Sequence, residues 1–327
     1  MRSPTLALAI ALMGCGGGGG VGADAGIADI GGGFPQGGEA AADGGARPLW
    51  IPFVRGDFTR VYSPAGGRYL NDHTLARDEA GRWHVWGITH HSQGDPFSER
   101  SLLHATAPAL EGPWTDEPDA IMAMAGEEVL WAPHVFRANP DAWTMYFYAG
   151  TADRRVQRAE SADLRTWTRD ARSAPPGRDP FVLRVGSEWL LYTVGVGAGR
   201  NGQILVSSSE DLTRWSPQEV ALEDPVPSFG WGNLESPALV RYEGRWYLFV
   251  TRTSESPVDY ARTVVFVSDD PRRFAWAPVT EMLTHAAEVF AHEGRWYITA
   301  AGWTSQVGER WRGLSVARLG WALPRAK

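Results

Sequence analysis

The sequence predicts an all-β protein, a five-bladed β-propeller of four-stranded antiparallel blades. A strand, a tight turn and a Trp-containing second strand recur five times, beginning at "NDHTLARDEAGRWHVWG", "APHVFRANPDAWTMYFYAG", "RDPFVLRVGSEWLLYTVG", "ESPALVRYEGRWYLFVT" and "HAAEVFAHEGRWYITAAG". The second-strand tryptophans, Trp83, Trp143, Trp189, Trp246 and Trp296, stand 60, 46, 57 and 50 residues apart. No helical periodicity separates the copies, and β-rich units of that length without helices are the mark of radial repetition. A β-sandwich made of the same strands would not need hairpin and Trp to recur in phase.

Taken in chain order, the first 15 residues read as a bacterial lipoprotein signal. An Arg is followed by an apolar run from Leu6 to Met13, too short to span a bilayer, and then by Leu12-Met13-Gly14-Cys15, which resembles a lipobox. Cys15 is the only Cys in the 327 residues, so no disulfide can form within the chain, and lipidation is its expected role. An ordinary secretory signal is the alternative. Residues 16–47 are a Gly, Ala and Asp-rich stretch with almost no large side chains; it buries too little to offset chain entropy and is expected to be a disordered tether.

The propeller is expected over residues 48–327. "RPLWIPFVRGDF", Arg47 to Phe58, supplies a spare strand that could close the ring, because the fifth copy has no clear fourth strand. Third strands are expected at "SLLHATAP", "VQRAESAD", "QILVSSSED", "TVVFVSDD" and "GLSVARL", with fourth strands anchored by Trp114, Trp167, Trp215 and Trp276. The turns carrying Glu79, Glu243 and Glu293 fall on one face and read as solvated.

On the opposite face, the first residues of each innermost strand converge on the channel mouth. Aligning the copies on Pro133, Pro180 and Pro237 puts His73 and Ala287 in the same column. One residue earlier stand Asp72, Ala132, Asp179, Ser236 and Ala286, and two earlier stand Asn71, Trp131, Arg178, Glu235 and His285. Acids therefore head blades one, three and four. Three carboxylates at one mouth are electrostatically costly. Glycosidic bond cleavage explains them: one carboxylic acid protonates the leaving oxygen and a carboxylate opposite activates water or attacks the anomeric carbon. Taken singly, Asp72 and Asp179 could equally be turn-forming residues. Asp95, Asp224 and Asp270, each before a Pro but none at the head of a repeat, read as loop residues.

The order "LNDH", "GRDPFV", "LESPAL" resembles the five-bladed propeller glycoside hydrolases of families 43, 62, 32 and 68, over roughly Leu49 to Leu319. The resemblance implies that Asp72 is the general base, or in retaining branches the nucleophile; that Asp179 orients substrate and tunes the acid; and that Glu235 is the general acid. Asp72-His73 and Glu235-Ser236-Pro237 depart from the Asp-Pro and Glu-Gly-Pro usual in family 43, whereas Asn71-Asp72 and Arg178-Asp179-Pro180 echo families 32 and 68. The resemblance implies no required cofactor, with a structural calcium ion near His285 as the one metal it admits.

Further substrate contacts are expected from Asn71, His73, Trp131, His134, Arg178 and His285 at the blade heads, and from His90, Arg252 and Trp303 on the upper loops. No zinc-site spacing and no phosphate-binding Gly loop is present. A formal net charge of −7 gives no general attraction for nucleic acid. The expected protein is a monomeric, extracytoplasmic glycosidase held by lipid at a bacterial outer membrane or cell surface, cleaving a terminal arabinoside, xyloside or fructoside by carboxylate acid/base chemistry, with inversion favoured. The alternative from another class is a surface propeller that binds glycan or protein without turnover, for which acids paired to bases such as Arg178 would be the sign.

Overall fold

The computed structural model describes residues 47–91, 96–172, 174–228, 232–255, 258–302 and 313–324. Cys15 and Trp303 lie outside them. Five four-stranded antiparallel sheets form the blades of a propeller. Blade one holds β2 (Asn71–Arg77), β3 (Trp83–Thr89), β4 (Ser101–Ala107) and β5 (Thr115–Met122). Blade two holds β6 (Leu130–Asn139), β7 (Ala142–Ala149), β8 (Val156–Ser161) and β9 (Thr168–Asp170). Blade three holds β10 (Arg178–Val185), β11 (Glu188–Val196), β12 (Asn201–Ser209) and β13 (Glu219–Pro227). Blade four holds β14 (Leu234–Tyr242) and β15 (Arg245–Arg252), then, after a small hairpin of β16 (Ser254–Glu255) and β17 (Val258–Asp259), β18 (Arg262–Ser268) and β19 (Thr280–Leu283). Blade five is β20 (Val289–His292), β21 (Arg295–Ala300) and β22 (Leu314–Ala322), completed by β1 (Ile51–Tyr62).

The N-terminal strand thus supplies the outermost strand of the last blade, pairing Ile51 with Ala322 at one end and Tyr62 with Leu314 at the other. Chain ends zipped into one sheet remove the open edge that a ring of blades would otherwise leave. Arg47 enters on the face of the first-to-second-strand turns, where its Nη1 donates to the Gly244 carbonyl at 2.8 Å.

The recurring Trp has two jobs. Within a blade it faces the Arg that ends the first strand: Arg137 pairs with Trp143, Arg184 with Trp189 and Arg241 with Trp246, each guanidinium 5.4–5.7 Å from the ring centre. Such cation–π pairs add about 0.5–1 kcal/mol each where exposed. Between blades it packs on an aromatic of the preceding first strand, Trp83 on Phe290, Trp189 on Phe136 and Trp296 on Tyr242. The Trp period is therefore the period of the blade interfaces. The other four tryptophans, expected to anchor fourth strands, sit ahead of those strands in the connection from the third.

The turn glutamates behave as solvated residues. Glu243-Gly244 and Glu293-Gly294 all have positive φ, as a two-residue type I′ hairpin requires. Glu79 and Glu293 keep 77% and 75% of their side-chain surface exposed.

Candidate active site

The innermost strands of the first four blades open on a bulge. Asp72, Ala132, Asp179, Ser236 and Ala286 all have positive φ, between 29° and 51°. Ladder register breaks at this point in the first four blades, between Asn71 and His73, Trp131 and His134, Arg178 and Phe181, and Glu235 and Ala238. These are the residues of one aligned column of the sequence. A bulge re-aims side chains at a sheet end, and here it turns the column inward. Asp72, Asp179 and Ser236 line a narrow axial channel together with His73, His134 and Glu288.

The three acids converge. The Ser236 hydroxyl donates to Asp72 Oδ1 at 2.8 Å, and the Ser236 backbone N–H donates to Asp179 Oδ2 at 3.1 Å. Arg178 Nη1 donates to Asp179 Oδ2 at 2.9 Å, and Nη2 lies 3.0 Å from Glu235 Oε1. Asp179 is almost fully enclosed, while Asp72, Glu235 and Arg178 keep about 13–14% of their side-chain surface open.

This crowding sets the charges. Burial, then the Asp179 charge, pushes Asp72 up to about 7, against the Ser236 hydrogen bond and the Arg178 charge. Burial likewise pushes Glu235 up to about 7, opposed by Arg178 and reinforced by Asp179 and Asp72. For Arg178, burial opposes the charge, but the Asp179, Glu235 and Asp72 carboxylates outweigh it and hold the guanidinium firmly protonated.

The remaining candidates divide by depth. His285 is tied on both ring nitrogens, Nδ1 to the Tyr260 carbonyl at 2.8 Å and Nε2 to Asn71 Oδ1 at 2.9 Å, with Nε2 3.7 Å from Asp72 Oδ1. Burial holds it below the usual His range, against the charges of Glu235 and Asp179. His285, ahead of blade five and anchored on Asn71 of blade one, therefore stands beside Asp72. His73 lies deeper, Nε2 2.7 Å from the Thr299 hydroxyl, and burial followed by His285 lowers it to about 3. His134 donates from Nε2 to the Val182 carbonyl at 3.0 Å and packs on Phe181. Trp131 stacks on Tyr148 at the head of blade two. His90 follows β3 on the mouth face, its ring against His91.

Arg252 has a partner that the sequence reading treated as a loop residue. Asp224 lies in β13, fully buried, and accepts from Arg252 Nε at 2.7 Å and Nη2 at 3.2 Å and from Asn233 Nδ2 at 2.8 Å. Because Asn233 immediately precedes the strand of Glu235, Asp224 clamps the outer edge of blade three to the head of blade four. Glu288, with Oε1 3.8 Å from His134 Nδ1, is a second acid missed; its only signal is its place one residue beyond the aligned Ala287.

No group of three or more His, Cys, Asp or Glu is arranged to hold a metal ion among the described residues. With both His285 nitrogens engaged, and imidazole a poor match for an ion that prefers oxygen ligands, the site does not fit a calcium ion held by His285.

A ring of five blades with acids heading the first, third and fourth defines the class of site; comparison with known proteins narrows it. Residues 173–321 match the model of glycosyl hydrolases family 43, a span that holds Asp179 and Glu235 and stops short of Asp72. Solved structures share the fold at low identity. A GH43_1 enzyme from Xanthomonas citri is 14% identical with a TM-score of 0.60, over 80% of this chain and 90% of that one. The β-xylosidase RS223 is 15% identical with a TM-score of 0.60, over 80% and 94%. The arabinanase Arb43A of Bacillus subtilis is 13% identical with a TM-score of 0.57, over 80% and 97%. No curated protein matches the sequence.

Proposed function

We propose that the protein is a glycoside hydrolase that cleaves a terminal glycosidic bond with inversion. The observation that carries this reading is the convergence of Asp72, Asp179 and Glu235 at one channel mouth, with Asp72 and Glu235 both raised to about 7. The family 43 match over two of the three acids supports it. In the working state Asp72 is ionised and Glu235 protonated. Water attacks the anomeric carbon and passes a proton to Asp72 as Glu235 gives its proton to the glycosidic oxygen, so that the C–O bond breaks and the leaving group departs as an alcohol. Asp179 is held in place by Arg178 and the Ser236 N–H beside both of them.

Arabinosides, xylosides and fructosides are the substrates to try first, since the structural relatives include a β-xylosidase and an exo-1,5-α-L-arabinanase. On the same reading the signal segment and Cys15 attach the enzyme by lipid outside the cytoplasm. Aryl glycosides of these sugars, assayed with Glu235→Gln, test the function. Hydrolysis is expected to fall about 10²–10⁴-fold while sugar binding persists. Proton NMR of the first-formed anomer reads the stereochemistry; a retained anomer would make Asp72 a nucleophile.

A second reading, a propeller that binds glycan without turnover, is favoured by one contact, the pairing of Arg178 with both Asp179 and Glu235. It predicts no hydrolysis by the unaltered protein and sugar binding that survives Glu235→Gln.

A further inference from the structure

We propose that Ser236 is a positioning residue for Asp72, its hydroxyl fixing the carboxylate through Oδ1 so that the strand carrying Glu235 also orients the group opposite it. This rests on the glycosidase reading. Ser236 adopts a φ of +49°, a region where glycine is at ease and a residue with a Cβ is strained. The equivalent positions in the other blades hold two acids and two alanines, so this is the one hydroxyl in the column. Its proton is committed to Asp72 Oδ1 at 2.8 Å while its own backbone N–H holds Asp179 at 3.1 Å. One residue therefore spans 164 positions of sequence to join the acid's strand in blade four to the proposed base in blade one.

A donor on a carboxylate favours its ionised form, which is the form that accepts a proton from water. The bond also stops the carboxylate turning about its own axis, leaving Oδ2 as the oxygen with freedom to meet a water. The groups facing Asp72 are Asp179 and Arg178 from blade three, Glu235 from blade four, His285 and Asn71, with His73 beneath on its own strand. Among the described residues, Ser236 is the uncharged side chain that donates to Oδ1, at 2.8 Å.

The test compares Ser236→Ala, which keeps the Cβ, with Ser236→Gly, which removes both hydroxyl and backbone strain. Positioning predicts that kcat falls roughly tenfold in both with KM little changed. It also predicts that the acid limb of kcat/KM moves up by roughly one pH unit in both. Thermal stability should be unchanged or higher in the Gly variant. A merely structural role would lower stability and leave the acid limb in place, and that outcome overturns the proposal. A second arm needs no turnover: ¹³C NMR of the Asp72 carboxyl, assigned through Asp72→Asn, should show its titration moving upward in both Ser236 variants. If the unaltered protein hydrolyses none of the glycosides, the glycosidase reading fails and this arm still decides the contact. An Asp72 titration that stays in place refutes it whether or not the protein is active.

Discussion

Replacing Asp72 with Asn should make the fold more stable at alkaline pH even as it removes the proposed base. In the folded protein Asp72 is pushed from 3.8 to about 7, chiefly by burial and next by Asp179. A carboxyl with a raised folded-state value contributes stability that is fully present below its unfolded value and is lost as pH rises through the folded one. At pH 8 the ionised group therefore costs roughly 4 kcal/mol relative to a group that titrates normally, and at pH 5 less than half of that. Asn cannot ionise and can still accept from Ser236 at the same position. The stabilisation by Asp72→Asn should then be about 2–3 kcal/mol larger at pH 8 than at pH 5, or roughly 5 °C in melting temperature for a domain of this size. Scanning calorimetry of both proteins at the two pH values, at one ionic strength, reads this directly. A melting difference that is independent of pH, or larger at pH 5, would refute the account of how the site is charged.

Arg178→Gln removes the cation shared by Asp179 and Glu235, so both limbs of the pH–rate profile should move to higher pH, the basic limb by about one unit or more, as hydrolysis of an aryl glycoside would show. Asp224→Ala should lower stability by about 2–4 kcal/mol in denaturant unfolding, since it leaves Arg252 and Asn233 without their buried acceptor while the partly exposed Arg252 can turn toward water. Trp321→Ala should cost about 3–5 kcal/mol in the same assay, because Trp321 stacks on Tyr242 with ring centres 4.0 Å apart and also meets Tyr247 and Trp296 where blades four and five join.

The repeat made much of this legible. Aligning five hairpins on the column of Pro133, Pro180 and Pro237 places Asp72, Asp179 and Ser236 together one residue earlier, and the backbone gives that column one conformation, so a shared local geometry was written in a shared local pattern. Closure by the strand after Arg47 was likewise visible, as a strand left over at one end and one missing at the other. What the repeat did not show lies between copies. Asp224 sits before a Pro and resembles any turn-forming Asp; only contact with Asn233 and Arg252, neither adjacent in sequence, reveals it as a clamp. Arg178 bridges neighbouring blades three and four, and Ser236 reaches from blade four to Asp72 in blade one; a pattern that aligns blades carries no information about which side chains meet between them. Glu288 escaped for a simpler reason: it stands one residue outside the aligned columns.

The clip between Arg47 and Gly244 has a consequence for how the protein meets a polymer. The chain joins the propeller on the turn face, and the acids open on the other, so any attachment through the N-terminal segment grips the base of a cup. The open end, where the acids lie, is then the end of the propeller farther from that point of entry.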